Sequence, residues 1–135
     1  MPPDRDQAYV LDILDAARRA KRFVAGMNQQ AFEADEKTQS AVIHQLMIIG
    51  EAAKRLSGGF RDRHTQMPWS DIARMRDKMI HHYAGVDLVE VWRAVSHDLD
   101  DLIRFVESRS PSADDGSGPP AQESPGLDRS KRSNP

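Results

Sequence analysis

The sequence predicts an all-α fold: an antiparallel up-and-down helical bundle over residues 1–108, followed by a disordered tail over 109–135. Three observations predict it. Apolar residues recur at helical spacing in four stretches, none shows the period-two alternation of a strand, and the composition changes after Ser108. Short connections make neighbouring helices antiparallel, so the up-and-down order is the economical one.

The first helix is predicted from about Asp6 to Met27, with Tyr9, Ile13, Ala17, Ala20 and Phe23 on one face and Asp12, Arg18, Arg19 and Arg22 opposite. The second runs from Asp35, its N-cap, to about Leu56. Its centre, VIHQLMIIGEAAKRL, is apolar nearly all the way round, which suits a helix central in the fold or shared with another chain. Gly50 inside it costs roughly 1 kcal/mol against alanine. The usual compensation is the close approach of another backbone.

Residues 57–68, SGGFRDRHTQMP, read as a loop with Gly58 as a helix C-cap. Ser70 is then expected to cap a third helix through MRDKMI. Asp87 and Glu90 make a capping-box-like start to a fourth, which carries Leu88, Val91, Trp92, Val95, Leu99, Leu102 and Val106 on one stripe. From Ser110 onward, SPSADDGSGPPAQESPGLDRSKRSNP holds five of the chain's eight prolines and little to bury, hence the expected disorder.

The composition narrows the function. A chain of 135 residues suits one small domain. Its net charge of −2 does not mark a general nucleic-acid binder, but it leaves room for a local basic patch. Without cysteine there is no disulfide, thiol chemistry or cysteine-ligated zinc. The N-terminal MPPDRDQ lacks a signal-peptide pattern, and no apolar run approaches the roughly 18 residues of a membrane span. The expectation is a soluble cytoplasmic protein with no membrane association.

The third helix holds an anomaly. On a projection of about 100° per residue, Trp69, Ile72, Met75, Met79, Ile80 and Tyr83 fall in an arc of roughly 140°, and Arg76 falls inside it. An unpaired arginine there would cost several kcal/mol. Two readings are open: a structural salt bridge, with Glu51 of the second helix as a partner, or an anion-binding arginine at a cleft. Arg74, Lys78, His81 and His82 form a basic face. If the helix loosens before Ala84-Gly85, His81 can turn towards Arg76 and Tyr83. A histidine beside an arginine supplies a proton shuttle and a phosphate clamp, the two needs of phosphodiester cleavage. His44, His64 and His97 read as structural or solvated, and His82 as a solvated neighbour. No histidine pair has metal-ligand spacing on one helical face, so neither a metal nor another cofactor is expected.

The segment Arg76-Asp77-Lys78-Met79-Ile80-His81-His82-Tyr83 resembles the Arg-x-x-x-x-His-x-Tyr motif of HepT toxins, in the HEPN superfamily of helical ribonucleases. IGEAAKRL, the PW before the third helix and the VDLVEVW opening the fourth are similar too, and the likeness covers about residues 8 to 106. Asp77 departs from it, since HepT proteins more often carry asparagine there. The resemblance implies a HEPN-like bundle acting as a metal-independent endoribonuclease toxin. It further implies a homodimer with the motifs of both chains at a composite cleft. His81 would serve acid–base catalysis, Arg76 the scissile phosphate, and Asp77 the orientation of one of them. Arg74, Lys78 and His82 are then candidate RNA contacts. The implied partner is a Mnt-like nucleotidyltransferase antitoxin that attaches AMP to Tyr83. Two alternatives are a nucleotide- or RNA-binding module without turnover, using Arg76 with Lys54, Arg55, Arg61 and Arg63, and a helical interaction protein in which the motif is a salt-bridge network.

Overall fold

In a computed structural model, residues 3–81 and 87–109 are described, with the side chains of residues 3, 4, 78–81 and 109 excepted. The predicted tail lies outside the described residues beyond Arg109. Among the described residues the regular structure is entirely helical. The chain divides into a unit over Met1–Ile103 and a second over Arg104–Pro135, of which only the last turns of a helix are described.

Helix α1 spans Pro3–Phe23 and buries Val10, Ile13, Leu14, Ala16, Ala17, Ala20 and Val24 just past its end. The predicted stripe holds at Ile13, Ala17 and Ala20. Phe23 is instead exposed, and Val24 takes the core position. The helix stops four residues before the expected end because the chain turns through Gly26, whose φ of 81° lies in the left-handed region.

A short helix α2, Gln29–Glu33, follows in a stretch without apolar periodicity. The Asn28 side chain caps it by accepting from the Ala31 backbone N–H, and Phe32 is buried with its ring 5.5 Å from that of Trp92. Helix α3, Glu36–Arg55, is the predicted second helix with its predicted cap. The Thr38 backbone N–H donates to the Asp35 carboxylate at 3.0 Å, and the Thr38 hydroxyl donates at 2.9 Å. Led by that backbone bond, these interactions hold the Asp35 carboxyl below its ordinary range.

Helix α3 packs against α1 and also against α5, Trp69–His81. Having helices on both sides explains why its apolar residues run almost all the way round: Val42, Leu46, Ile49, Ala52 and Ala53 are buried. Ile43, Met47 and Ile48 are half-buried.

Between α3 and α5 the expected loop contains a helix, α4, Gly58–Arg63. Gly58 opens α4 rather than closing α3. Ser57 is the cap: its hydroxyl accepts from the Phe60 N–H, while Asp6 of α1 accepts from both the Ser57 N–H and its hydroxyl. Helix α5 starts at Trp69, so Ser70 lies inside it and is not its cap. Trp69 and Ile72 are buried, and the Trp69 indole N–H donates to the His64 carbonyl.

The fourth predicted helix begins at its predicted cap, Asp87, whose side chain accepts from the Val89 N–H. The reciprocal half of a capping box is not formed, because Glu90 pairs with Arg93 instead. The helix is not uniform. It runs as α6, Leu88–Arg93, then a π-helical turn over Ala94–Asp98, then α7, Leu99–Arg109. On an uninterrupted helix, Asp98 would project about 20° from Val91, at the edge of the apolar stripe. With the wider π turn, Asp98 is exposed while Val91, Val95, Leu99 and Leu102 stay buried. Lys21 of α1 supports that turn, donating to the Val95 carbonyl at 3.0 Å and pairing with Asp100 at 2.9 Å.

Candidate active site

The seam between α3 and α5 is set by one close approach. A Cβ on Gly50 would lie 2.7 Å from the Arg76 Cβ and 2.7 Å from the Arg76 backbone nitrogen. Real Cβ atoms do not approach so closely, so only glycine lets the helices meet here. The unfavourable mid-helix glycine is thus compensated by the approach of another backbone, at the position of the anomalous arginine.

From that contact the Arg76 side chain reaches back to α3. Its Nε donates to Glu51 at 2.6 Å, and its Nη1 contacts Asp77 at 3.2 Å. The other Glu51 oxygen receives Arg55 at 2.7 Å, and Asp77 also pairs with Lys54 at 3.6 Å. Lys54, Asp77, Arg76, Glu51 and Arg55 therefore form one continuous network. It holds three cations and two carboxylates, a surplus of one positive charge. The salt bridge to Glu51 considered for Arg76 is formed.

Formation of that bridge does not make Arg76 a buried structural ion. Its side chain is 34% exposed and that of Glu51 38%. Pairs this exposed typically contribute about 0–1 kcal/mol each. The network therefore does little for stability, while Gly50 works against the helix. What the arrangement achieves is position: a guanidinium held in one orientation at an accessible seam, which can meet an anion with little reorganisation.

The other predicted residues are placed unevenly. His81 ends α5, five residues after Arg76, and its side chain lies outside the described residues. Lys78 lies on α5 with its side chain likewise outside, and His82 and Tyr83 are wholly outside. Arg74 is exposed and bonds to Asp71 one turn earlier, apart from the Arg76 network. Of the alternative basic set, Lys54 and Arg55 join the network, while Arg61 and Arg63 lie on α4. His44 and His97 are exposed, and the His64 ring sits 4.5 Å from that of Phe60. Among the described residues no group of three His, Asp or Glu side chains is placed to hold a metal ion.

Two pairings within the network escaped the sequence reading. Arg55 was legible as an i,i+4 partner of Glu51. The Lys54–Asp77 pair crosses helices and left no local signal.

The all-helical fold, with Arg76 and His81 five apart near the end of α5, is that of a HEPN-like helical domain. Comparison with known proteins narrows this: residues 13–109 match the family described as Ribonuclease HepT-like. The chain belongs to that family. It is 43% identical over 94 residues to a Thermococcus cleftensis protein named "Probable ribonuclease HepT", covering 70% of this chain and 86% of that one. It is 38% identical over 107 residues to a Methanocaldococcus jannaschii protein named "Putative RNase MJ0127", covering 79% of this chain and 88% of the other. No solved structure matches the chain.

Proposed function

We propose that this chain is a metal-independent endoribonuclease and the toxin of a type VII-like toxin–antitoxin pair, acting in the cytoplasm. The observation that carries the reading is Arg76: tethered by Gly50 and Glu51 at an accessible seam, five residues before His81 on the same helix. Family membership supports the substrate, RNA. Among the described residues no helix is long and apolar enough to cross a membrane.

The chemistry follows from the residue types. The 2′-hydroxyl attacks the adjacent phosphorus, its proton passing to a neutral imidazole as the new P–O bond forms. The bond to the 5′ oxygen breaks, and an imidazolium returns a proton to that leaving oxygen. Arg76 neutralises the charge that grows on the non-bridging oxygens. Asp77, touching Arg76 Nη1, keeps the guanidinium aligned. One histidine can serve one role at a time, so a homodimer that brings two copies of His81 to one cleft supplies both. The half-buried Ile43, Met47 and Ile48 on α3, beside Gly50 in sequence, support such an association.

Regulation completes the proposal. A Mnt-like nucleotidyltransferase attaches AMP to Tyr83, placing a phosphodiester and its bulk where the RNA phosphate must bind. Binding without turnover, the alternative, keeps Arg76, Lys54 and Arg55 and dispenses with His81.

Purified protein should cleave RNA in the presence of EDTA, and His81→Ala should abolish cleavage while retaining RNA binding. Dependence on an added divalent ion would reject the mechanism. Equal cleavage by wild type and His81→Ala would reject the role of that histidine. With the cognate nucleotidyltransferase and ATP, intact mass should show AMP on wild type and none on Tyr83→Phe.

A further inference from the structure

The α3–α5 seam contains two consecutive residues that act on the same arginine in different ways. Gly50 acts on its backbone. The missing side chain lets the α5 main chain come within a distance that any Cβ would forbid, and the atoms it meets are the Cβ and backbone nitrogen of Arg76 itself. Glu51 acts on its side chain, holding Nε at 2.6 Å through one carboxylate oxygen. The other oxygen is held at 2.7 Å by Arg55, one turn on along α3. Glu51 is therefore itself braced from its own helix.

We infer that Gly50-Glu51 is the positioning element of Arg76: the glycine sets where the arginine is rooted, and the glutamate sets where its guanidinium points. Neither residue touches the substrate. The inference rests on the proposed role of Arg76 in RNA cleavage, but its structural content stands apart from that role.

The physical reason for two devices is leverage. An arginine side chain has four rotatable bonds, and an exposed one samples many rotamers. Anchoring the root without the Nε leaves the fork free to swing. Anchoring Nε to a carboxylate on a helix that has moved away carries the fork off with it. Misplacement by about 1 Å is enough to cost about 100-fold in a reaction that depends on alignment.

The test uses the full chain with Gly50→Ala and Glu51→Gln, and two readouts. The first is independent of activity. The Nε–H resonance of Arg76, assigned by its loss in Arg76→Lys, should exchange slowly with water in wild type. In both variants it should exchange at least about tenfold faster. The second is RNA cleavage. Both variants should lose about 10- to 100-fold in kcat, with KM within about threefold of wild type and the pH profile unshifted, since the proton-transfer group is untouched. Should Gly50→Ala lose its helical signal, the isosteric Glu51→Gln carries the test. An Arg76 resonance unchanged in both folded variants, or an unchanged kcat in an active protein, overturns the inference. If wild type fails to cleave RNA while the resonance behaves as expected, the cleavage reading falls and the positioning element stands.

Discussion

Helix α3 has two seams of opposite character. Its seam with α1 joins two helices rich in buried apolar residues, Ile13, Ala17 and Ala20 on one and Val42, Leu46 and Ile49 on the other. Towards α5 the central contact is a glycine against an arginine backbone, flanked by five half-exposed charges. The first seam is what a stable fold requires. The second sacrifices helix propensity at Gly50 and gains little from its ion pairs. If the proposed role of Arg76 holds, a helix that is apolar on one side and costly on the other separates scaffold from site along a single element.

That separation gives the largest expected contrast between variants. Arg76→Ala should lower RNA cleavage by about 1,000-fold, the scale of removing an aligned stabilising donor, yet shift the melting temperature by no more than a few degrees. Leu46→Ala should do the reverse. Truncating a fully buried leucine costs about 2–5 kcal/mol, which lowers the melting temperature steeply, while cleavage per folded molecule stays near wild type. Thermal melts and single-turnover cleavage on the same preparations check both. A large melting shift in Arg76→Ala, or a specific loss of turnover in Leu46→Ala, would dissolve the distinction.

The two seams also differed in how they could be read. The apolar one was legible from periodicity, because burial repeats with the helix. Cap chemistry located the start of α3 at Asp35 and of α6 at Asp87 for the same reason: the bonds are made within four residues. The ionic seam was legible only as violations of that pattern, a glycine in mid-helix and an arginine in an apolar arc. Together they pointed to a close approach and to Glu51. Three features could not be read locally. Helix α4 forms at a Gly-Gly pair because Asp6, 51 residues away in the chain, holds its cap residue. The exposure of Phe23 follows from a turn that ends α1 early. The π turn at Ala94–Asp98 is supported by Lys21, from a helix 74 residues earlier.

The π turn tests the scaffold side more finely. Lys21 donates to the Val95 carbonyl within the turn and ties Asp100 beyond it. Lys21→Met keeps the aliphatic stem and removes both interactions. It should destabilise the fold by about 1–2 kcal/mol, measured by urea titration, with no effect on cleavage at the α3–α5 seam. Unchanged stability would show that the turn stands without the lysine.

The smallest effect is expected where the apolar side of α3 breaks its own rule. Gln45 is only 7% exposed, among Val42, Leu46 and Ile49, and among the described residues its Oε1 has no hydrogen-bond partner. A buried, unpaired carbonyl oxygen costs about 1–3 kcal/mol. Gln45→Met preserves length and flexibility while removing that oxygen, and methionine adapts to the space it is given. Some of the gain is offset by losing what the amide N–H groups contribute, so the net should be a stabilisation of up to about 1 kcal/mol, or about 4–8 °C. Cleavage should not change, because Gln45 belongs to the scaffold. A fall in melting temperature would mean that the amide is fully paired in the folded chain. A fall in turnover at constant stability would mean that the polarity of α3 reaches further towards the site than the Gly50–Lys54 turn.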